Sequence, residues 1–300
     1  MTEPTLNYVS CADVDGGHRM AYWQWGEHDA AHVVVCVHGL SRQGRDFDVL
    51  ARRLMATSPH PLRVVCPDVV GRGRSDWLKN PAGYQVPNYV ADMLMLLAQL
   101  HQAGSVDTLD WVGTSMGGLI GMGLLGTPGL RLPVPARRLV LNDVGPAIQW
   151  SALQRIGTYL GQAAHFETLQ QAADALWAIS SSFGPHSAEA WLALSTPMVK
   201  HVPGGGWTLH YDPAIAVPFR SLTPESAAQG EAALWALYDA VHAQTLLLRG
   251  ALSDLLSTAT AQAMTLRGPC AHLVEFPGVG HAPTLVADDQ TKVVADFLLQ

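Results

Sequence analysis

A chain of 300 residues, 48% hydrophobic and only 14% charged, has the apolar material for a sizeable core and is not a disordered chain. Its 18 basic and 25 acidic residues leave a net charge of −7 with no basic run, which argues against nucleic acid as a partner. No apolar run approaches the length of a membrane span, and Met1 to Asn7 lack the basic and apolar regions of a secretory signal, so a soluble cytoplasmic protein without a membrane partner is expected.

Residues 7–25 read as two strands joined by a turn at Asp15-Gly16-Gly17. His32 to His38 is continuously apolar and β-branched, the pattern of a strand buried on both faces of a parallel sheet. A helix follows over about 44–57, with Phe47, Leu50 and Leu54 on one face. Leu62 to Pro67 is the next strand, Asp68 to Ser75 a glycine-rich loop, and Val90 to Leu100 a helix. Leu109 to Val112 is again a buried-type strand, and Leu119 to Leu125 continues as a helix. Arg138 to Asp143 is a further strand.

From Gly145 to Thr223 the strand runs stop. Helical segments rich in Ala, Gln and Trp take over, broken at Phe183-Gly184-Pro185, Pro203 to Gly206 and Asp212-Pro213. This stretch is expected to be an inserted helical lid, residues 145–223, on a core domain of residues 1–144 and 224–300. Strand–helix alternation then resumes, with strands at 244–249 and 271–276 and helices at 258–266 and 288–299. The expected fold is α/β, a doubly wound, mostly parallel sheet whose functional loops gather at the strand carboxyl ends. Cys11, Cys36, Cys66 and Cys270 are widely spaced and read as free thiols in a reducing compartment.

The chemistry centres on Gly113-Thr114-Ser115-Met116-Gly117, which sits between a strand and a helix. That context makes it a nucleophile elbow: a turn so sharp that Ser115 takes a strained backbone conformation and lifts its hydroxyl off the sheet. A serine hydroxyl needs a base. His281, in Pro277-Gly278-Val279-Gly280-His281, follows the last strand and reaches the same sheet edge. The base needs an acid to hold its tautomer. Asp254 follows the 244–249 strand and is the preferred candidate; Asp143, at the end of the 138–143 strand, is its rival, and sheet-edge position does not separate them. Two amides are expected to hold an oxyanion, Met116 at the helix start and Leu40 in His38-Gly39-Leu40 after the first buried strand. His38 reads as a structural histidine under that loop. Arg42 and Arg45, in the same loop, are candidate contacts for a substrate carboxylate. The tryptophans of the lid region, Trp150, Trp177, Trp191 and Trp207, with Trp235 beyond it, are mainly packing residues, with room for one or two in a pocket wall. No phosphate loop, dinucleotide fingerprint or metal-ligand spacing is present, so no cofactor and no metal are expected, and His201 and His210 are read as exposed.

Taken in order, His38-Gly39-Leu40, Pro67 to Ser75, Gly113 to Gly118, Arg249-Gly250 to Asp254 and Gly280-His281 resemble the α/β-hydrolase superfamily over nearly the whole chain. The resemblance implies an eight-stranded sheet with a lid after the sixth strand. It also implies nucleophile Ser115, base His281, acid Asp254 and oxyanion amides at Leu40 and Met116. Branches with the acid after the sixth strand keep Asp143 open. A serine at the elbow argues against the branches with aspartate there, the haloalkane dehalogenases and epoxide hydrolases. The expected activity is hydrolysis of a small carboxylic ester, thioester or lactone through an acyl-enzyme. Cofactor-free perhydrolase or haloperoxidase-like activity, carbon–carbon bond hydrolysis and a small-molecule receptor on the same fold are the alternatives.

Overall fold

The computed structural model describes residues 3–300. In chain order its strands are β1 (Thr5–Cys11), β2 (His18–Trp25), β3 (His32–Val37), β4 (Leu62–Pro67), β5 (Thr108–Thr114), β6 (Ala136–Asn142), β7 (Val199–His201), β8 (Trp207–Leu209), β9 (Gln244–Gly250) and β10 (His272–Phe276). Eight of them form one sheet in the order β1-β2-β4-β3-β5-β6-β9-β10. The first two pairings, β1 with β2 and β2 with β4, are antiparallel; every later neighbour is parallel. The expected mostly parallel eight-stranded sheet is therefore present. Its central strands carry apolar residues on both faces because helices cover both: all of β4, and β3 beyond His32, are buried.

The helices are α1 (Asp48–Thr57), α2 (Val86–Ala103), α3 (Met116–Gly126), α4 (Trp150–Tyr159), α5 (Leu169–Ser180), α6 (Ala188–Ser195), α7 (Ala216–Arg220), α8 (Pro224–Asp239), α9 (Thr258–Met264) and α10 (Asp288–Leu299). Leu50 and Leu54 of α1 and Val294 and Leu298 of α10 pack on one sheet face with Val34, Val64 and Leu246. Leu96 of α2, Ile120 of α3, Tyr238 of α8 and Met264 of α9 pack on the other with Val35, Trp111 and Leu247.

Element boundaries depart from the sequence reading where special residues sit. The helix expected from 44 opens as a 3-10 turn, Gly44–Phe47, before α1. α2 begins at Val86 rather than near 90, because Pro87 in its first turn gives up an N–H that has no helical partner there. The β1–β2 turn is closed by Asp13, whose Oδ1 accepts from Asp15 N and Gly17 N at 2.8 Å each.

The segment between β6 and β9 contributes no strand to the main sheet. It holds α4 to α8 and a small antiparallel hairpin of β7 and β8. The hairpin escaped the sequence reading because its strands are three residues long, too short for an alternation signal, and turn at Gly204-Gly205-Gly206, all at positive φ. Ala173, Leu176, Trp191, Leu194 and Met198 give this segment a cluster of its own. α4, by contrast, packs Ala152 and Ile156 into the main core. Among the described residues, no helix is long and apolar enough to cross a membrane.

Candidate active site

The elbow is set by contacts that only glycine tolerates. A Cβ on Gly117 would lie 2.0 Å from the Val37 carbonyl oxygen, and one on Gly113 would lie 2.3 Å from that of Gly117. The β5–α3 connection is thus pressed against the end of β3, and the chain turns within one residue. Ser115 takes φ 51° and ψ −115°, outside the ordinary regions for an L residue. Its N–H donates to Asn142 O at 3.0 Å, and its carbonyl accepts from Gly118 N at 2.9 Å, so α3 starts immediately.

His281 follows β10 and closes the distance. Ser115 Oγ lies 3.0 Å from His281 Nε2, and His281 Nδ1 lies 2.7 Å from Asp143 Oδ2. A carboxylate only accepts, so Nδ1 carries the hydrogen and Nε2 presents its lone pair to the hydroxyl. Asp143 directly follows β6 at φ 54°, which turns its side chain back under the histidine. Its carboxylate is fully buried, with further donors at Gly250 N (2.9 Å to Oδ1) and Ser253 Oγ (2.6 Å to Oδ2). An anion held out of water needs several such donors.

The preference for Asp254 is therefore corrected in favour of its rival. Asp254 is half exposed, and its oxygens accept from Arg155 Nε at 2.7 Å and Nη2 at 3.0 Å. The loop after β9 does approach the site, but it presents Ser253, one residue earlier, and that hydroxyl supports Asp143.

Leu40 and Met116 flank Ser115 in a cavity wall. Met116 is the first residue of α3, where an N–H has no intrahelical acceptor and faces outward at the positive end of the helix. The Gly39 carbonyl accepts from Arg42 N at 3.1 Å, forming a turn around Leu40. His38 is buried beneath it. Its Nδ1 donates to Gly39 O at 2.7 Å and its Nε2 accepts from Val69 N at 2.9 Å, while burial pushes its pKa down to about 3. It is a neutral structural histidine, as read from the sequence.

Arg72 carried no role in the sequence reading, yet it braces this corner. Fully buried, it donates from Nε to Leu40 O (2.8 Å) and from Nη1 to Val70 O (2.7 Å) and Tyr89 Oη (3.0 Å). Its Nη2 lies 3.6 Å from Met116 Sδ, so one guanidinium touches both expected oxyanion residues. Asn142 is the second unforeseen support, its Nδ2 donating to Thr114 Oγ1 (3.0 Å) and Pro283 O (2.8 Å) across the β5, β6 and β10 ends. A polar residue at the end of an otherwise apolar strand was the available signal for it.

The loop arginines separate. Arg42 borders a cavity but is clamped by Asp46, Nε at 2.6 Å and Nη2 at 2.7 Å. Arg45 turns away: it pairs with Asp48 at 2.7 and 2.6 Å, lies over the Trp23 ring at 4.9 Å and lines neither cavity at Ser115. None of the five tryptophans lines either cavity at Ser115. Trp191 is buried and donates to Ala173 O at 2.8 Å, with Trp177 edge-on against it. His201 is exposed and lies tilted against Trp207, whereas His210 is half buried, and that burial lowers its pKa to about 4.

Away from the site, Cys11, His18 and Asp92 bring a thiol, an imidazole and a carboxylate within 4.8 Å of one another, a grouping the sequence reading did not anticipate. Burial disfavours a charged His18, but hydrogen bonds with Asp92, Cys11 and Asp13 outweigh it and raise the pKa to about 11. An ion network tying the first hairpin to α2 accounts for the group.

A serine on a strand–helix elbow, backed by histidine and a buried aspartate at the carboxyl edge of a parallel sheet, defines a class of protein. The chain belongs to it: the model described as "Alpha/beta hydrolase family" matches residues 34–297. A 3-hydroxybutyrate-oligomer hydrolase of Cupriavidus necator is 49% identical over 297 residues, 98% of this chain and 97% of the relative. An α/β hydrolase from Novosphingobium aromaticivorans is 35% identical with TM-score 0.83, covering 99% of each chain. A hydrolase from Rickettsia typhi is 27% identical with TM-score 0.84, covering 98% of each. The chain is a hydrolase acting on ester bonds.

Proposed function

We propose that this chain hydrolyses short esters of 3-hydroxybutyrate, the oligomers named for its 49% identical relative, through an acyl-enzyme on Ser115. The observation that carries the proposal is the continuous chain Ser115 Oγ, His281, Asp143, at 3.0 and 2.7 Å. His281 takes the hydroxyl proton as Ser115 attacks the ester carbonyl, and Asp143 stabilises the imidazolium. The Leu40 and Met116 amides hold the oxyanion, each contributing ~3 kcal/mol to lowering the barrier. His281 then protonates the leaving oxygen and afterwards activates the water that deacylates Ser115.

Residues 145–223 act as the lid. Support comes from α4, α5 and α6, whose Arg155, Ile156, Leu176 and Leu194 face the space above Ser115. Cys36 and Cys66 stand on neighbouring strands as unbridged buried thiols, which supports a reducing, cytoplasmic setting.

The test is incubation of the purified protein with the dimer and trimer of 3-hydroxybutyrate, with chromatographic measurement of the monomer released. Wild type releases monomer. Ser115→Ala releases none and loses labelling by a fluorophosphonate probe. Persistent labelling of Ser115→Ala refutes the assignment of the nucleophile, and intact oligomers with the wild type refute the substrate.

A further inference from the structure

Two cavities meet at Ser115, Leu40 and Ile156, and they differ in size and in their charged lining. The smaller, about 100 Å³, has His281 at one side and an apolar wall that includes Leu176 and Leu194, into which Arg42, Asp46 and Arg155 bring charge. The larger, about 590 Å³, is walled by apolar residues such as Val144, Ile148 and Phe219, and Glu231 is its only charged lining residue among those described.

The geometry of proton transfer orients the substrate between them. The histidine that accepts the serine proton must deliver it to the leaving oxygen, so the leaving group lies on the His281 side. His281 borders only the small cavity. The acyl part therefore occupies the large apolar one. In an oligomer of a hydroxyacid, the leaving alcohol is the hydroxyl of the unit toward the carboxyl end, and the acyl part is the remainder toward the hydroxyl end.

We infer that the small cavity is a binding site for the carboxyl-terminal hydroxyacid unit, with Arg155 receiving its free carboxylate. The hydrolase therefore shortens its substrate one unit at a time from that end. This rests on the oligomer reading above. Arg155 stands midway along α4, and Asp254 occupies one N–H each of its Nε and Nη2, so the guanidinium keeps further N–H donors. Both arginines are paired with a carboxylate, but the Arg42–Asp46 pair is largely buried and Arg42 Nη2 also donates to Leu194 O at 3.4 Å, whereas the Arg155–Asp254 pair is half exposed and so exchanges partners at lower cost, which makes Arg155 the better recipient. The reverse orientation would put a carboxylate into an apolar space beside Glu231, costing desolvation and repulsion.

The steps balance without a co-reactant beyond water. Ser115 Oγ bonds to the ester carbon as its proton moves to His281. The carbon–oxygen bond to the terminal unit breaks as His281 returns the proton to that oxygen, and one hydroxyacid leaves. Water then adds to the acyl carbon, giving its proton to His281. The bond to Ser115 breaks as the serine regains a proton, releasing an oligomer one unit shorter with a new free carboxylate. The product of one cycle is the substrate of the next.

The test uses three trimers of 3-hydroxybutyrate with the full-length enzyme: the free acid, the carboxyl-terminal N-methylamide, and the hydroxyl-terminal acetate. The free acid is expected to exceed the amide in kcat/KM by about tenfold or more, the scale of one charge-assisted contact. The acetylated trimer should release unmodified monomer first. Arg155→Met and Arg155→Gln should bring the free-acid to amide ratio close to one, a ratio measured within one preparation and so insensitive to its folded fraction. Equal turnover of acid and amide, first release of acetylated monomer, or an undiminished ratio in the Arg155 variants overturns the inference while oligomer hydrolysis itself stands. Cleavage of p-nitrophenyl butyrate with no trimer cleaved in any form removes the oligomer reading and the inference together.

Discussion

Asp143→Asn is the sharpest test of how the site works. The substitution keeps shape and volume but exchanges an acceptor oxygen for a donor. Asp143 Oδ1 accepts from Gly250 N at 2.9 Å, and Oδ2 accepts from His281 Nδ1 at 2.7 Å and Ser253 Oγ at 2.6 Å. The asparagine amide has two placements. Turning its NH2 toward Gly250 would set two buried donors against each other, at about 1–3 kcal/mol. The oxygen therefore stays on Gly250, and the NH2 faces His281. Ser253 adapts by rotating its hydroxyl. The imidazole adapts only by moving its hydrogen from Nδ1 to Nε2, and then it no longer accepts the Ser115 proton. The expected loss is about 10⁴-fold in kcat, or ~5 kcal/mol of barrier, with KM nearly unchanged. Stopped assays with p-nitrophenyl butyrate and circular dichroism on the same sample measure loss and integrity together. Asp254→Asn, made in parallel, should alter kcat by less than about tenfold, since an exposed ion pair is worth little. A kcat for Asp143→Asn within tenfold of wild type, or an equal collapse in Asp254→Asn, would refute the reasoning.

Three further outcomes follow from other parts of the structure. Arg72→Met removes the donor to Leu40 O and should lower kcat on a neutral ester about tenfold or more while KM moves less, with Arg72→Lys recovering part of the loss; a change confined to KM would contradict the bracing role. Gly117→Ala places a methyl 2.0 Å from the Val37 carbonyl and should cost about 2–3 kcal/mol or more in chemical denaturation; an unshifted midpoint would mean the elbow has room that the structure denies it. His38 has a folded pKa pushed down by burial to about 3, against an ordinary value of 6.5, so below pH 6.5 the unfolded chain takes up a proton that the folded chain refuses. Its contribution is complete above pH 6.5 and is lost as pH falls toward 3, on the order of 2 kcal/mol by pH 5. Urea melts of wild type and His38→Gln across pH 7 to 5 should show the wild-type slope flattened in the variant, and parallel slopes would count against it.

Much of the architecture was readable without coordinates because it rests on short-range stereochemistry. Continuous β-branched runs at 32–37 and 62–67 announce strands covered on both faces, and the glycines of the elbow announce close backbone approach. The position of Ser115 between strand and helix and of His281 beyond the last strand followed from the same local grammar. The hairpin of β7 and β8 did not, because three-residue strands carry too little periodicity to register.

By itself the chain thus determined a mostly parallel sheet, a serine lifted from a strained turn and a histidine delivered to the same edge, since each depends on residues within a few positions of it. Tertiary structure alone decided which aspartate meets that histidine across 138 residues, because Asp143 and Asp254 both follow strands and differ only in where those strand ends point. A positive φ at the end of β6 turns Asp143 into a buried nest of donors, while Asp254, outside that nest, is claimed by Arg155 from the inserted segment. The same long-range packing puts Arg72 against Leu40 and Met116 and opens unequal cavities on the two sides of Ser115. Such contacts join segments whose separation in sequence carries no local signal, and only the folded chain brings them within reach of one another.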